Sequence, residues 1–174
     1  MNKWDSYFYK MAHVVKENSS CLSRKIGAVL VRDKSVIGTG YNGPPRGVPS
    51  CGVRHKFDEN LLNEYKKQTN ICADKNVILY KCPRQILNFK SGEGLQWCVA
   101  GHAERNALIN CARLGISTIN TTLYLTCGIP CTPCLIEIIN AGVKEIVVTS
   151  YDYYDYESSK YLINNSDIII RLYE

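Results

Sequence analysis

Two short pieces, His102-Ala103-Glu104 and Pro130-Cys131-Thr132-Pro133-Cys134, constrain this chain more than any other feature. Each opens a helical pattern: Ala107, Leu108, Ala112 and Leu114 follow the first, and Leu135, Ile136, Ile138 and Ile139 follow the second. A β-rich run, Thr121 to Thr126, lies between them. One His and two Cys are metal-ligand types, so the rest of the chain must fold so that two helix starts meet. Glu104 stands two residues along from His102, a turn of roughly 200° on a helix, and is poorly placed to coordinate beside it.

Catalytic zinc typically takes three protein ligands and keeps a fourth position for water, and His102, Cys131 and Cys134 provide that number. Cys131 and Cys134 are three apart, which puts both sulfurs on one face of a first helical turn, where the helix N-terminus favours thiolate. Pro130 and Pro133 are tolerated there because first-turn N–H groups lack intrahelical partners. At a helix start, Glu104 can reach a water beside the ion, take its proton and pass it on. That combination suits hydrolytic loss of an amine from an amidine-like carbon, and it is the His-x-Glu…Pro-Cys-x-x-Cys arrangement of zinc nucleobase deaminases. Cys-x-x-Cys alone is common in structural zinc knuckles and redox sites; the combination with His-x-Glu is what points to catalysis.

The bulk properties set limits. The chain has 174 residues, 45% hydrophobic and 21% charged, as expected of one globular domain over 1–174 with a sizeable core. The formal charge of +5 suits a phosphate-bearing ligand, but no dense Lys/Arg run accompanies it, so a nucleic-acid partner is not expected. No apolar run is long enough to span a bilayer and Met1 to Ser6 is polar, so the expectation is a cytoplasmic protein without a membrane partner. In a reducing compartment, nine cysteines suggest metal ligands plus a few buried thiols rather than disulfides.

Trp4, Phe8, Met11, Ala12 and Val15 predict an amphipathic helix, on which His13 reads as a surface or packing residue. Ile26–Val31 and Val36–Gly40 read as a hairpin about Arg32-Asp33-Lys34. The run from Gly40 to Gly47 is too rich in Gly and Pro for helix or central strand. It is either a plain surface loop or a ligand loop in which Asn42 offers donor and acceptor groups and Arg46 a phosphate fork. Residues 51–98 form a cysteine-rich insertion with a polar helix from Glu59 to Gln68 and weak apolar periodicity, a segment that a structural metal would steady. Helices His102–Arg113 and Cys131–Ala141 then alternate with strands at 121–126, 145–149 and 168–172, the last after a tyrosine-rich connection. The expected fold is α/β, a three-layer arrangement with a mixed sheet of about five strands flanked by helices.

With these residues in hand, the chain resembles the cytidine-deaminase superfamily and, within it, deoxycytidylate (dCMP) deaminases. The similarity runs through Cys21-Leu-Ser-Arg-Lys-Ile-Gly-Ala-Val, Thr39-Gly-Tyr-Asn-Gly-Pro-Pro-Arg-Gly, Ser91-Gly-Glu, His102-Ala-Glu-Arg-Asn-Ala and Pro130-Cys-x-x-Cys. The resemblance implies a cytidine-deaminase-like fold and conversion of dCMP to dUMP and ammonia, supplying thymidylate synthesis. It implies a catalytic zinc on His102, Cys131 and Cys134, with Glu104 as proton shuttle. It implies substrate contacts from Asn42 to the deoxyribose hydroxyl, from Ala103, from Arg24, Lys25 and Arg46 as phosphate-region cations, and from Tyr151 or Tyr153 against the pyrimidine. Arg113 matches a position tied to assembly and regulation; family members are commonly hexamers activated by dCTP and inhibited by dTTP, so a homo-oligomer is expected. A second, structural zinc occurs in part of the family. Cys21 and Cys51 match its ligands, Cys98 lies near another, Cys82 could complete four thiolates, and His55 is a reserve. Cys111 and Cys127 read as buried thiols.

Three alternatives remain at this level. The same chemistry could serve a free (deoxy)cytidine nucleoside, or a base in tRNA or single-stranded DNA, although Asp152, Asp155 and Glu157 among the tyrosines would repel phosphates. A zinc-stabilised module without catalysis is the third, and the intact Glu104 argues against it.

Overall fold

Alternation along the strand Gly27–Arg32 (β1) sets the layers of the fold. Ala28 and Leu30 join a cluster with Leu123, Leu125, Ile146 and Val148, whereas Val29 and Val31 join Phe8, Ala12, Tyr124 and Val147. Successive side chains of a strand point to opposite faces, so both faces of this sheet are apolar and both need cover. The computed structural model describes residues 3–69 and 80–173.

The cover on one face is the helix Lys3–Lys16 (α1), whose Phe8 and Ala12 are buried. On the other face lie the helices Ala103–Arg113, Thr132–Asn140 and Tyr156–Asn164, which contribute Ala107 and Cys111, Leu135 and Ile138, and Leu162 and Ile163. Five strands fill the layer between: β1, Ser35–Tyr41 (β2), Thr122–Leu125 (β3), Glu145–Val148 (β4) and Ile169–Leu172 (β5), in the order β2-β1-β3-β4-β5. β1 pairs antiparallel with β2 and β3, while β3–β4 and β4–β5 are parallel. The sheet is therefore mixed, as expected. Asp33 and Lys34 both take positive φ, 49° and 60°, the two-residue hairpin geometry that matches strand twist.

Two differences from the sequence reading have physical causes. The tyrosine-rich connection contains the helix Tyr156–Asn164. Parallel β4 and β5 need a crossover, and a helix is its usual form; only Ser159 of this helix is fully buried, so its apolar stripe was weak. The second concerns the insertion, treated as short of apolar contacts. Chain contacts divide the molecule into two compact units, one comprising the chain up to Ser19, Ile26–Asn42 and the chain from His102 onward, the other Ser20–Lys25 and Gly43–Gly101.

The second unit has a small apolar cluster of its own, Leu61, Tyr65, Ile86 and Leu87, with Leu62, Phe89 and Trp97 packed against it. It is built from the helices Cys51–Arg54 (α2), Glu59–Thr69 (α3) and Pro83–Ile86 (α4) and a 3-10 turn at Leu95–Trp97. The remaining helices, Ala103–Arg113, Thr132–Asn140 and Tyr156–Asn164, are α5, α6 and α7. Arg54 bonds Asp58 at 2.7 Å and the Trp97 carbonyl at 3.0 Å, tying α2 to the 3-10 turn. His55 is buried, with Nε2–H donating to the Lys81 carbonyl at 2.9 Å and Nδ1 accepting the Tyr65 hydroxyl at 3.2 Å. Both ring nitrogens are thus committed, which removes His55 as a reserve metal ligand. Cys72 lies outside the described residues. No helix of the described residues is long and apolar enough to cross a membrane.

Candidate active site

α5 begins immediately after His102, its N-cap, and α6 begins immediately after Cys131, its N-cap. The two helix starts converge in the first unit: His102 Nδ1 lies 3.3 Å from Cys131 Sγ and 3.2 Å from Cys134 Sγ. Among the described residues, this is the one group in which three ligand atoms lie within 4.8 Å of one another. His102 is exposed, Cys131 half-buried and Cys134 fully buried, so the group is anchored on one side and open on the other. That is the shape of a site with an accessible position.

The electrostatics of the group fit a cation. The hydrogen bond from Cys134 draws the Cys131 thiol down to about 4, and His102 and the Cys134 backbone N–H act in the same direction against burial. The same sulfur contact, with burial and the nearby Glu104 charge, pushes Cys134 up. The bond to Cys131 raises His102, with further support from Glu104. Two sulfurs this close resist ionising together unless a positive charge joins them, and a dication on His, Cys and Cys is the donor set for zinc. The residues fit a zinc ion.

Glu104 is only 4% exposed, and its charge is felt by both His102 and Cys134. Its Oε2 is a buried acceptor that receives no hydrogen bond from the described residues. Ala103 is fully buried beside it. The helix that carries both is fastened to the edge strand: Asn106 Nδ2 donates to the Tyr41 carbonyl and Asn110 Nδ2 to the Thr39 carbonyl, each at 2.8 Å. Residues four apart on a helix share a face, so these two amides also cap the open side of β2. Arg105 grips Glu137 with Nε–Oε2 at 2.8 Å and a second contact at 2.7 Å, joining α5 to α6. The sequence reading missed this pair, since nothing local links positions 32 apart.

The other expected residues are distributed as follows. Asn42 is buried, and its Oδ1 accepts the Ile26 N–H at 2.7 Å and the Ser19 hydroxyl at 2.8 Å. The oxygen is therefore an anchor for the start of β1. Tyr151 is exposed, whereas Tyr153 is half-buried and packs edge-on to Tyr156 at 5.0 Å. Arg113 is exposed in the last turn of α5. Arg24, Lys25 and Arg46 belong to the second unit and are exposed there.

Cys21, Cys51, Cys82 and Cys98 also all belong to the second unit. Burial pushes the Cys51 thiol up to about 11, and Cys82, Cys98 and Cys21 each add to the rise, so Cys51 is within electrostatic reach of all three. They do not form a group of three within 4.8 Å. Cys111 is buried on α5 and Cys127 is half-buried after β3; neither joins a ligand group among the described residues.

Comparison with known proteins agrees with this geometry. Residues 2–150 match the model of the cytidine and deoxycytidylate deaminase zinc-binding region. A protein named deoxycytidylate deaminase from Schizosaccharomyces pombe is 36% identical over 172 residues, covering 98% of this chain and 44% of that protein. One of the same name from Mycobacterium phage D29 is 34% identical over 149 residues, covering 83% of this chain and 92% of that protein. This chain thus spans under half the length of the yeast relatives it matches. The crystal structure of a dCMP deaminase from cyanophage S-TIM5, in complex with dCMP and dUMP, aligns with a TM-score of 0.65 at 20% identity, covering 99% of this chain and 98% of that one. The fold is that of cytidine deaminases, and the chain belongs to the cytidine and deoxycytidylate deaminase zinc-binding family.

Proposed function

We propose that the protein hydrolyses dCMP to dUMP and ammonia at the His102–Cys131–Cys134 group. The observation that carries this is the convergence of those three ligand atoms with the buried Glu104 carboxylate, which both His102 and Cys134 feel. The relatives' names, and the dCMP and dUMP held by the cyanophage protein, support the choice of substrate.

His102, Cys131 and Cys134 would hold the zinc, and Glu104 would do the proton work. Zinc, when bound, supplies a Lewis acid that makes water acidic enough to be a nucleophile at neutral pH. Glu104 takes a proton from the attacking water and delivers it to ring nitrogen N3 as the C4–O bond forms. It then carries the second proton to the exocyclic amine, the C4–N bond breaks and ammonia leaves. Burial of Glu104 keeps bulk water from competing for that proton. Asn42 and Ala103 would contact the substrate, as would Tyr151 or Tyr153 at the pyrimidine and Arg24, Lys25 and Arg46 in the phosphate region.

The finer parts of the proposal extend to a second, structural zinc on Cys21, Cys51, Cys82 and Cys98, supported by their common unit and by the electrostatic reach of Cys51 to the other three. They extend also to a cytoplasmic homo-oligomer, a hexamer, with dCTP activating and dTTP inhibiting. The exposed Arg113, with Ile109 and Leu114 exposed on the same helix end, offers α5 as an assembly surface.

The test is a deamination assay of purified protein on dCMP, deoxycytidine and a cytosine oligonucleotide. The wild type should release ammonia fastest from dCMP. Glu104→Gln should lower turnover by about 10³-fold while zinc content stays unchanged. Normal turnover in that variant would overturn the mechanism, and preference for either other substrate would overturn the substrate assignment.

A further inference from the structure

The metal-holding turn is short of its own capping groups. The first turn of α6 has N–H donors at Thr132 and Cys134 only, because Pro133 has none and the Leu135 N–H already bonds the Cys131 carbonyl at 2.9 Å. Cys131, the N-cap, supplies no side-chain oxygen, and its sulfur serves the Cys134 N–H, not that of Thr132. The Thr132 N–H is satisfied from elsewhere: it donates to Asp155 Oδ2 at 3.1 Å. Asp155 is itself the N-cap of α7, where an Asp ordinarily bonds its own helix, yet it makes no such bond. Its carboxylate crosses to the neighbouring helix instead.

This bond is one of a series. The Thr149 N–H donates to the Cys127 carbonyl at 3.0 Å, and the Ile129 N–H donates to the Asp152 carbonyl at 3.2 Å. Farther along, the Thr132 and Ser158 hydroxyls meet at 2.6 Å. The segment 127–132, which delivers the two cysteines, is thus stitched to the segment 149–158 at four points. Gly128 lies where the seam is tightest, since a Cβ there would come within 2.9 Å of the Asp152 carbonyl and the Ser150 hydroxyl. Tyr153 and Tyr154 span the interval between the stitches at Asp152 and Asp155, so the position of this arch depends on the same bonds as the position of the cysteines.

We propose that Asp155 is a positioning residue that caps the Cys131–Cys134 turn from outside and sets the Tyr153–Tyr154 arch against it. The assignment rests on the reading of that turn as a zinc-holding turn in a dCMP deaminase. Asp155 acts through Thr132 and through the arch. Losing it leaves the N–H between the two ligands unpaired and frees one end of the arch, so metal retention and substrate binding should fail together.

The experiment uses zinc-loaded full-length protein and the variants Asp155→Ala and Asp155→Asn. Zinc transfer to a coloured chelator is followed with time, and the pool missing from Cys131→Ser identifies the zinc held by this turn. kcat and KM for dCMP and the melting temperature are measured beside it. Asp155→Ala should release that zinc about tenfold faster, in the range typical of lost partners behind a metal ligand, and should raise KM for dCMP as well as lower kcat. Asp155→Asn keeps an acceptor at the same place and should restore most of both. Should Asp155→Ala fail to fold, Thr132→Pro removes the N–H donor, at a position where helices accept proline, together with the hydroxyl that meets Ser158. Thr132→Val removes the hydroxyl alone, and release should be faster in the first than in the second, equal release overturning the cap.

Wild-type release and wild-type KM in the variant lacking the acceptor would overturn the inference. So would an Asn variant as impaired as the Ala variant, since that outcome makes charge, not capping, the cause. Wild-type protein that holds zinc but leaves dCMP intact overturns the deaminase reading alone, because the chelator measurement still decides the role of Asp155.

Discussion

Asp5 is a carboxylate placed where carboxylates are seldom found: it is 4% exposed, on the face of α1 that meets the sheet. Three donors make that tolerable. Arg171 reaches it with two nitrogens at 2.7 and 2.8 Å, and the Tyr124 hydroxyl donates at 2.7 Å. Arg171 also bonds Glu145 at 2.8 Å, so one guanidinium from β5 holds α1 and β4 together. The Arg171 hydrogen bonds hold the Asp5 carboxyl below its usual range, against burial. A carboxylate whose folded pKa is depressed contributes stability above its unfolded pKa and loses it as pH falls through the folded value. The wild type should therefore weaken below about pH 4, seen as a falling urea midpoint. Arg171→Met leaves Asp5 buried without its cation and should cost about 3 kcal/mol at pH 7. Burial then raises the Asp5 pKa, so the deficit should shrink as pH is lowered from 7 toward 5, opposite in sign to the wild type. A deficit independent of pH would show that Asp5 is not the group responsible. In the sequence Asp5 is only part of the polar start from Met1 to Ser6; its partner stands 166 positions away, and no local pattern announces such a pair.

At the level of elements, the contact of β2 with α5 decides where His102 and Glu104 lie. A Cβ at Gly40 would collide with the Ala103 carbonyl and the Ala107 backbone, and one at Gly38 with the Cys111 sulfur. Two glycines on alternate positions of an edge strand thus let α5 approach the sheet. The obstacles differ: backbone at Gly40, a side chain at Gly38. Gly40→Ala should cost about 2 kcal/mol by overpacking and, by displacing the first turn of α5, lower kcat for dCMP beyond what the stability loss explains. Gly38→Ala should be relieved by a second change, Cys111→Ala, measured by melting temperature, whereas that second change should do nothing for Gly40→Ala. Equal relief of both would mean that α5 moves as a rigid rod and that Gly40 has no special hold on the site. The sequence places Gly40 at the junction of the Val36–Gly40 strand and the Gly- and Pro-rich loop, and the strand runs one residue further, to Tyr41. Gly there marks close approach of a helix, a signal that punctuation and packing share and that one sequence cannot separate. The hairpin, the two ligand-bearing helices and the parallel strands were legible because periodicity and breakers agree along them. The helix Tyr156–Asn164 was not, because its fully buried residue is Ser159 and its apolar contribution, Leu162 and Ile163, is confined to its last turn.

For the whole molecule, the division into two units separates two kinds of inference. In the first unit the ligand trio was readable because motif spacing and helix starts coincide, and the folded geometry brings the three atoms together. In the second, the four candidate ligands come from three stretches, Cys21, Cys51 and the pair Cys82 and Cys98, with no common spacing. Among its described residues the unit buries Leu61, Tyr65, Ile86 and Leu87 in one apolar cluster and carries an Arg54–Asp58 pair. Burial alone raises the Cys51 thiol, and nearby sulfurs raise it further; a dication would reverse both effects by favouring thiolate. That is the physical ground for a second zinc, and stoichiometry decides it. Metal analysis of the wild type should give two zinc ions per chain. Cys51→Ser and Cys131→Ser should each retain one, with dCMP turnover lost in the second variant because it removes a catalytic ligand. Chelation of the Cys51 site should also shift the emission of Trp97, which packs against the apolar cluster of that unit, and Trp4→Phe makes that reading unambiguous. One zinc in the wild type, retained in Cys51→Ser and missing from Cys131→Ser, would overturn the second zinc.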